Sequence, residues 1–168
     1  MVMRKAWVAL PLLLALAGCN VHVGAESGAT TVVDHSDSAK GTHLRLIMTD
    51  YQVRAALGNN PNTAAYVTIR NEGNQPDRLV SAACDCSAAA HLHTMVMQGG
   101  QMIMDEPKDG FAIAPGQSIV FAPGGNHIML SELKTRPQAG GIQTVTLTFE
   151  KAGSVPVAMP VSDAPQAN

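Results

Sequence analysis

From residue 42 onward the chain runs in short apolar and polar stretches broken by glycine and proline. Residues 144–149 show the clearest pattern. Val145, Leu147 and Phe149 fall on one face and Thr144, Thr146 and Thr148 on the other, the period-two signature of a half-buried strand. Residues 43–48, 64–70 (AAYVTIR), 79–83, 118–121 and 126–130 predict further strands from their apolar and β-branched content. Residues 91–97 and 102–104 flank Gln98-Gly99-Gly100-Gln101, a loop whose length and glycines predict a hairpin. No long helical period and no internal repeat is present. Many short strands with Gly/Pro turns predict an all-β sandwich. Residues 160–168 read as a loose tail.

The amino-terminal segment belongs to a different class. Arg4 and Lys5 precede an apolar run over residues 6–17, which ends in Leu16-Ala17-Gly18-Cys19. This is the layout of a secretory signal, and it is too short and wrongly flanked for a membrane span. The Leu-Ala-Gly-Cys sequence resembles a bacterial lipobox, which implies a leader over residues 1–18 and a lipid on Cys19. Asn20 after that cysteine implies, by the same resemblance, an outer-membrane address on the periplasmic side if the organism is Gram-negative. Residues 19–41 are rich in Ala, Gly, Ser, Thr and Asp and read as a flexible tether, spanning on the order of 25 Å. The expected folded domain is 42–161, followed by a tail over 162–168.

Charge and cysteine count narrow the function. Without Arg4 and Lys5 the chain keeps 9 basic and 13 acidic residues. That balance offers no basic face for nucleic acid, and membrane contact is expected through the lipid anchor only. Besides Cys19, only Cys84 and Cys86 remain, too few for a disulfide scaffold. On one extended strand their Cα atoms would lie about 6.5–7 Å apart, so a disulfide would require a bulge or turn. The alternatives are a second soft metal site or a redox gate on metal loading. No nucleophile elbow, phosphate loop or carboxylate pair is present, so an enzyme is not expected.

The chemistry concentrates in two stretches, HLHTMVMQGGQMIM at residues 91–104 and GGNHIML at residues 124–130. In strands, His91, His93, Met95 and Met97 share a face, as do Met102 and Met104, and His127 and Met129. Pairing Met97 with Met102 sets Met95 opposite Met104, with His93 diagonal to it. Seven methionines follow Cys19 and five of them lie between residues 95 and 129. Methionines can simply fill core gaps. Their repeated sharing of a face with histidine points instead to a metal. Thioether and imidazole together suit Cu(I) better than zinc, magnesium or calcium, with Cu(II) also possible.

His93, ten intervening residues, Met104, and then His127-Ile128-Met129 resemble the signature of the periplasmic PCuAC-type copper chaperones. The phrases AAYVTIRNEGNQPDRLVSA, GGQMIM, PGGNHIM and VTLTFEKAG fit the same family, over roughly residues 44–161. The resemblance implies a cupredoxin-like Greek-key β-sandwich or barrel. It implies copper on His93, Met104, His127 and Met129; outside the resemblance, Met95, His91, Cys84 and Cys86 are possible additional ligands. It also implies that copper passes by ligand exchange to a haem-copper oxidase subunit or an Sco-type thiol protein; a monomer is expected. Two features depart from the family. Between Met104 and His127 lie 22 residues, one more than usual, with the extra residue expected in residues 105–110. Cys84-Asp85-Cys86 is not part of the signature. A blue-copper electron carrier would need a cysteine near His127. A metal-free interaction domain would need the methionines to be packing.

Overall fold

The computed structural model describes residues 20–24, 30–37 and 41–163. The expected leader, the lipid-bearing Cys19 and the end of the tail lie outside the described residues. Twelve strands are present among them: β1 (Asn20–Gly24), β2 (Thr30–Asp37), β3 (Thr42–Arg54), β4 (Thr63–Asn71), β5 (Asp77–Cys84), β6 (Ser87–Gln98), β7 (Gln101–Asp105), β8 (Phe111–Ile113), β9 (Ser118–Phe121), β10 (His127–Leu133), β11 (Ile142–Phe149) and β12 (Gly153–Ser162). One layer runs β7-β6-β10-β4-β3, and the other runs β12-β11-β5-β8. The layers join where β12 lies parallel to β3 at Val161 and Ser162. Leu46, Val67, Ile69, Ile128 and Leu130 from the first layer form one core with Leu79, Leu147, Val157 and Met159 from the second.

Alternation explains most of these strands, and its interruptions explain the elements missed from sequence. In β3, Leu44, Leu46 and Met48 are buried, and then the phase shifts to Tyr51 and Val53. The register against β4 slips between Thr49 and Gln52, and Asp50 has φ 52° there. This bulge inserts one residue and returns the apolar face to the core. A period-two reading therefore stops at Met48, although the strand runs on to Arg54.

Pro156 and Pro160 conceal β12, because proline argues against a strand. The structure instead buries Val155, Val157, Met159 and Val161 in alternation. Both prolines have the same parity, so they withhold their N–H from the same side of the strand. Residues 160–162, expected in the tail or at its edge, are thus strand, and Val161 N–H donates to Gly141 O at 2.8 Å.

The expected tether is also corrected. β2 pairs with residues 42–48 of β3, and Thr31 and Val33 are buried. Val32 and Val33 provide the β-branched content, and the Asp34 carboxylate accepts from Arg45 and lies 3.1 Å from His43 Nε2. Within the interval 19–41, the segment 30–37 therefore belongs to the folded layer.

Candidate metal centre

Two turns place the chemistry. Gln98 pairs with Gln101, leaving Gly99 and Gly100 as a two-residue loop at φ 60° and 84°. Both values lie in the left-handed region that a type I′ turn requires. The hairpin therefore closes in the register expected from sequence, with Met97 opposite Met102 and Met95 opposite Met104. The second turn, residues 122–125, has proline second and Gly124 third at φ 80°, and Gly125 N–H donates to Ala122 O. This is the arrangement of a type II turn. Asn126 ties that turn to β6 by accepting from Thr94 Oγ1 at 2.7 Å.

His127 follows directly and opens β10. β10 lies between β4 and β6, with Ile128 opposite both Ala65 and Leu92. Burying Ile128 turns His127 and Met129 to the other face. There His127 stands opposite His93, and Met129 opposite His91. The rings of His93 and His127 lie 5.4 Å apart, edge to face, and those of His91 and His93 stack at 5.9 Å. Two segments more than thirty residues apart thus converge on β6.

Hydrogen bonding sorts the imidazole nitrogens. His127 Nδ1 lies 3.0 Å from Gly125 O. A carbonyl only accepts, so Nδ1 carries the proton and Nε2 presents a lone pair. His91 Nδ1 lies 3.1 Å from Glu106 Oε1. His93 Nδ1 is buried without a hydrogen-bond partner, a state that costs about 1–3 kcal/mol. Burial holds the His93 pKa below the ordinary histidine value, helped by His127 and His91 and opposed by Glu106. The neutral, ligating form of His93 is therefore favoured.

Among the described residues, no three His, Cys, Asp or Glu side chains converge as a metal site. The methionine sulfurs on the same face are the further soft donors beside His93 and His127. Burial decides what these methionines do. Met48 and Met159 are fully buried and pack the core, but Met97, Met102 and Met104 are 65%, 55% and 48% exposed. Met95 and Met129 are half-buried and border a cleft of about 370 Å³ together with His127, Arg54 and Tyr66. Burial raises the Tyr66 pKa against the opposing charge and hydrogen bond of Arg54, so the phenol stays neutral.

Cys84 and Cys86 are bonded to each other, with Cα atoms 5.1 Å apart. The turn that sequence reasoning required is present, because Asp85 and Cys86 form the corner between β5 and β6. Neither sulfur is a free thiolate, and both lie at the far end of β6 from His93. While that bond is intact, neither offers a thiolate as the additional ligand considered from the sequence. Residues 106–110 connect β7 to β8 outside any strand, so a longer connection there leaves the β6–β10 register unchanged.

The sequence model of the LpqE-like family matches residues 46–161. The chain is 35% identical over 164 residues to "Putative lipoprotein Lxx21020" of Leifsonia xyli subsp. xyli, covering 98% of this chain and 92% of that protein. Among solved structures it is similar to the apo PCuAC domain from PmoF1, with 27% identity and a TM-score of 0.60, over 71% of this chain and 94% of that domain. It is also similar to Cu(I)-loaded DR1885 from Deinococcus radiodurans, with 27% identity and a TM-score of 0.54, over 67% of this chain and 75% of that one.

Proposed function

The chain belongs to the LpqE-like family and has the fold of PCuAC domains, and on that premise we propose that it is an extracytoplasmic copper chaperone. It takes Cu(I) as cargo on His93, Met104, His127 and Met129, with Met95 and His91 as neighbouring donors. One observation carries this reading. Two imidazoles face each other across β6 and β10, and one has a buried nitrogen without a partner, on the face that also holds the exposed thioethers. The Cu(I)-loaded relative supports the choice of ion.

Transfer proceeds by ligand exchange. Thioethers are neutral, soft and individually weak ligands, so an incoming thiolate or imidazole can replace them one at a time. The cleft beside His127 and Met129 gives such a donor a path to the ion. The receiver proposed is a haem-copper oxidase subunit or an Sco-type thiol protein. Acylated Cys19 would hold the chain on the periplasmic side of a bacterial membrane, the outer one where two are present. The relative named as a lipoprotein supports the anchor.

The test is an anaerobic Cu(I) competition titration of residues 20–168, which keeps every described residue, without thiol reductants. One tightly bound equivalent is expected. No binding would end the proposal, and an intense blue Cu(II) form would favour an electron carrier.

Acid provides a second test. Imidazole binds metal only when neutral, and an ordinary histidine charges near pH 6.5. His93 is held below that value, so protons displace its metal bond only in stronger acid. Its contribution to stability is likewise complete above the ordinary value and lost as pH falls through the lowered one. The affinity advantage of the wild type over His93→Ala is expected to persist at the ordinary histidine value and to shrink below it. An advantage already gone at that value would remove His93 from the ligand set.

A further inference from the structure

The soft donors do not end at the inner set. Met97 stands opposite Met102 at the hairpin tip, and Met95 opposite Met104 one step inward. On the other flank of β6, His127 stands opposite His93 and Met129 opposite His91. Residues 91, 93, 95 and 97 leave one face of β6 at steps of about 6.6–7 Å. A soft donor pair therefore recurs at each step from the tip to the cleft.

Packing does not explain the outermost pair. Met97 and Met102 are more than half exposed, whereas Met48 and Met159 show where packing methionines go. Strand propensity does not explain it either, since exposed strand positions favour β-branched and aromatic residues. The turn does explain the alignment. A slip of one residue would send Met97 and Met102 to opposite faces, and the positive φ values of Gly99 and Gly100 hold the register that keeps them together.

We infer that Met97 and Met102 form an outer Cu(I) site, through which the ion enters or leaves the inner set. The inference rests on the copper reading above for the identity of the ion. Directly opposed strand residues have Cβ atoms about 4.5–5.5 Å apart, and each methionine has three rotatable bonds. Both sulfurs can therefore meet on one ion. Two neutral thioethers bind more weakly than a set that includes two imidazoles, which is the condition for a transit position. The passage inward exchanges dative bonds one for one, and the ion stays Cu(I) throughout. Met95 and Met104 lie between the two sites and share the face with both.

The test uses residues 20–168 with ¹³C-labelled methionine methyl groups and Ag(I) as a redox-inert stand-in for Cu(I). The first equivalent is expected to shift the methyls of Met104 and Met129, and the second those of Met97 and Met102. Met97→Leu combined with Met102→Leu should lower the stoichiometry from two to one. It should slow Cu(I) release to a chelator several-fold while leaving the one-equivalent affinity unchanged. Both positions are exposed, so the fold is expected to survive, and an amide spectrum checks it. If Met104 and Met129 move but Met97 and Met102 stay still at two equivalents, the outer site is wrong and the inner one stands. If only the outer pair moves, the outer site stands and the proposed inner set falls. If none moves, both fall.

Discussion

His127→Ala is expected to weaken Cu(I) binding about tenfold or more, roughly 1.4 kcal/mol for each factor of ten, with little change in stability. His127 is the first residue of β10 and is only half-buried, so its ring contributes little to the core. Its value lies in aim. The Gly125 carbonyl accepts a hydrogen bond from Nδ1–H, and Asn126 fastens the preceding turn to Thr94 on β6. The ring is held beside His93 at 5.4 Å with Nε2 available to an ion. Alanine removes the donor and leaves the opposing imidazole with thioethers alone. Competition against a chromogenic Cu(I) chelator reads the affinity, and urea unfolding checks the fold. Binding indifferent to His127 would move the metal to another part of the chain. Met129→Leu, which keeps size and loses sulfur, should give a smaller loss in the same assay.

Ile128→Ala is expected to act in the opposite way, on the fold first. Ile128 is fully buried and lies between Ala65 and Leu92 on the two neighbouring strands. Truncation removes transfer free energy and leaves a cavity, for about 2–5 kcal/mol of destabilisation. In a chain of this size that lowers Tm by about 4–20 °C. Its neighbours in sequence are the two proposed ligands on β10, so a loosened strand should also weaken copper capture. Ile128→Val removes one methylene and is expected to cost about 0.5–1.5 kcal/mol with capture retained. Thermal unfolding with and without Cu(I) distinguishes the two variants. An Ile128→Ala protein as stable as wild type would contradict the buried position assigned here.

The two substitutions lie on adjacent residues with opposite faces, which illustrates how far the chain could be read in advance. Alternation placed His127 and Met129 on one side and Ile128 on the other. It also paired Met95 with Met104 and Met97 with Met102, because a two-glycine loop admits one close register. The fold class followed from the same local signals. Local pattern failed where the strand itself is irregular. The bulge at Asp50 reverses the phase of β3, and two prolines disguise β12. The small polar residues ahead of residue 42 hid β2, whose Thr31 and Val33 are buried only because β3 receives them.

Local pattern was also silent on everything that depends on strands distant in sequence. Residues 91–104 and 124–130 could be joined before the structure only through a family resemblance, since nothing within either stretch states the order β7-β6-β10. The disulfide is a similar case. Two cysteines one residue apart are too distant in a strand and close enough in a corner, and the corner exists because β5 and β6 belong to different layers. The sequence by itself determined which residues could share a face, because side-chain alternation is a property of the backbone. The tertiary structure alone decided which faces meet and which histidine nitrogen is left without a partner. It also decided which methionines are buried and which are exposed. Those outcomes depend on how the whole chain divides its apolar surface between two layers.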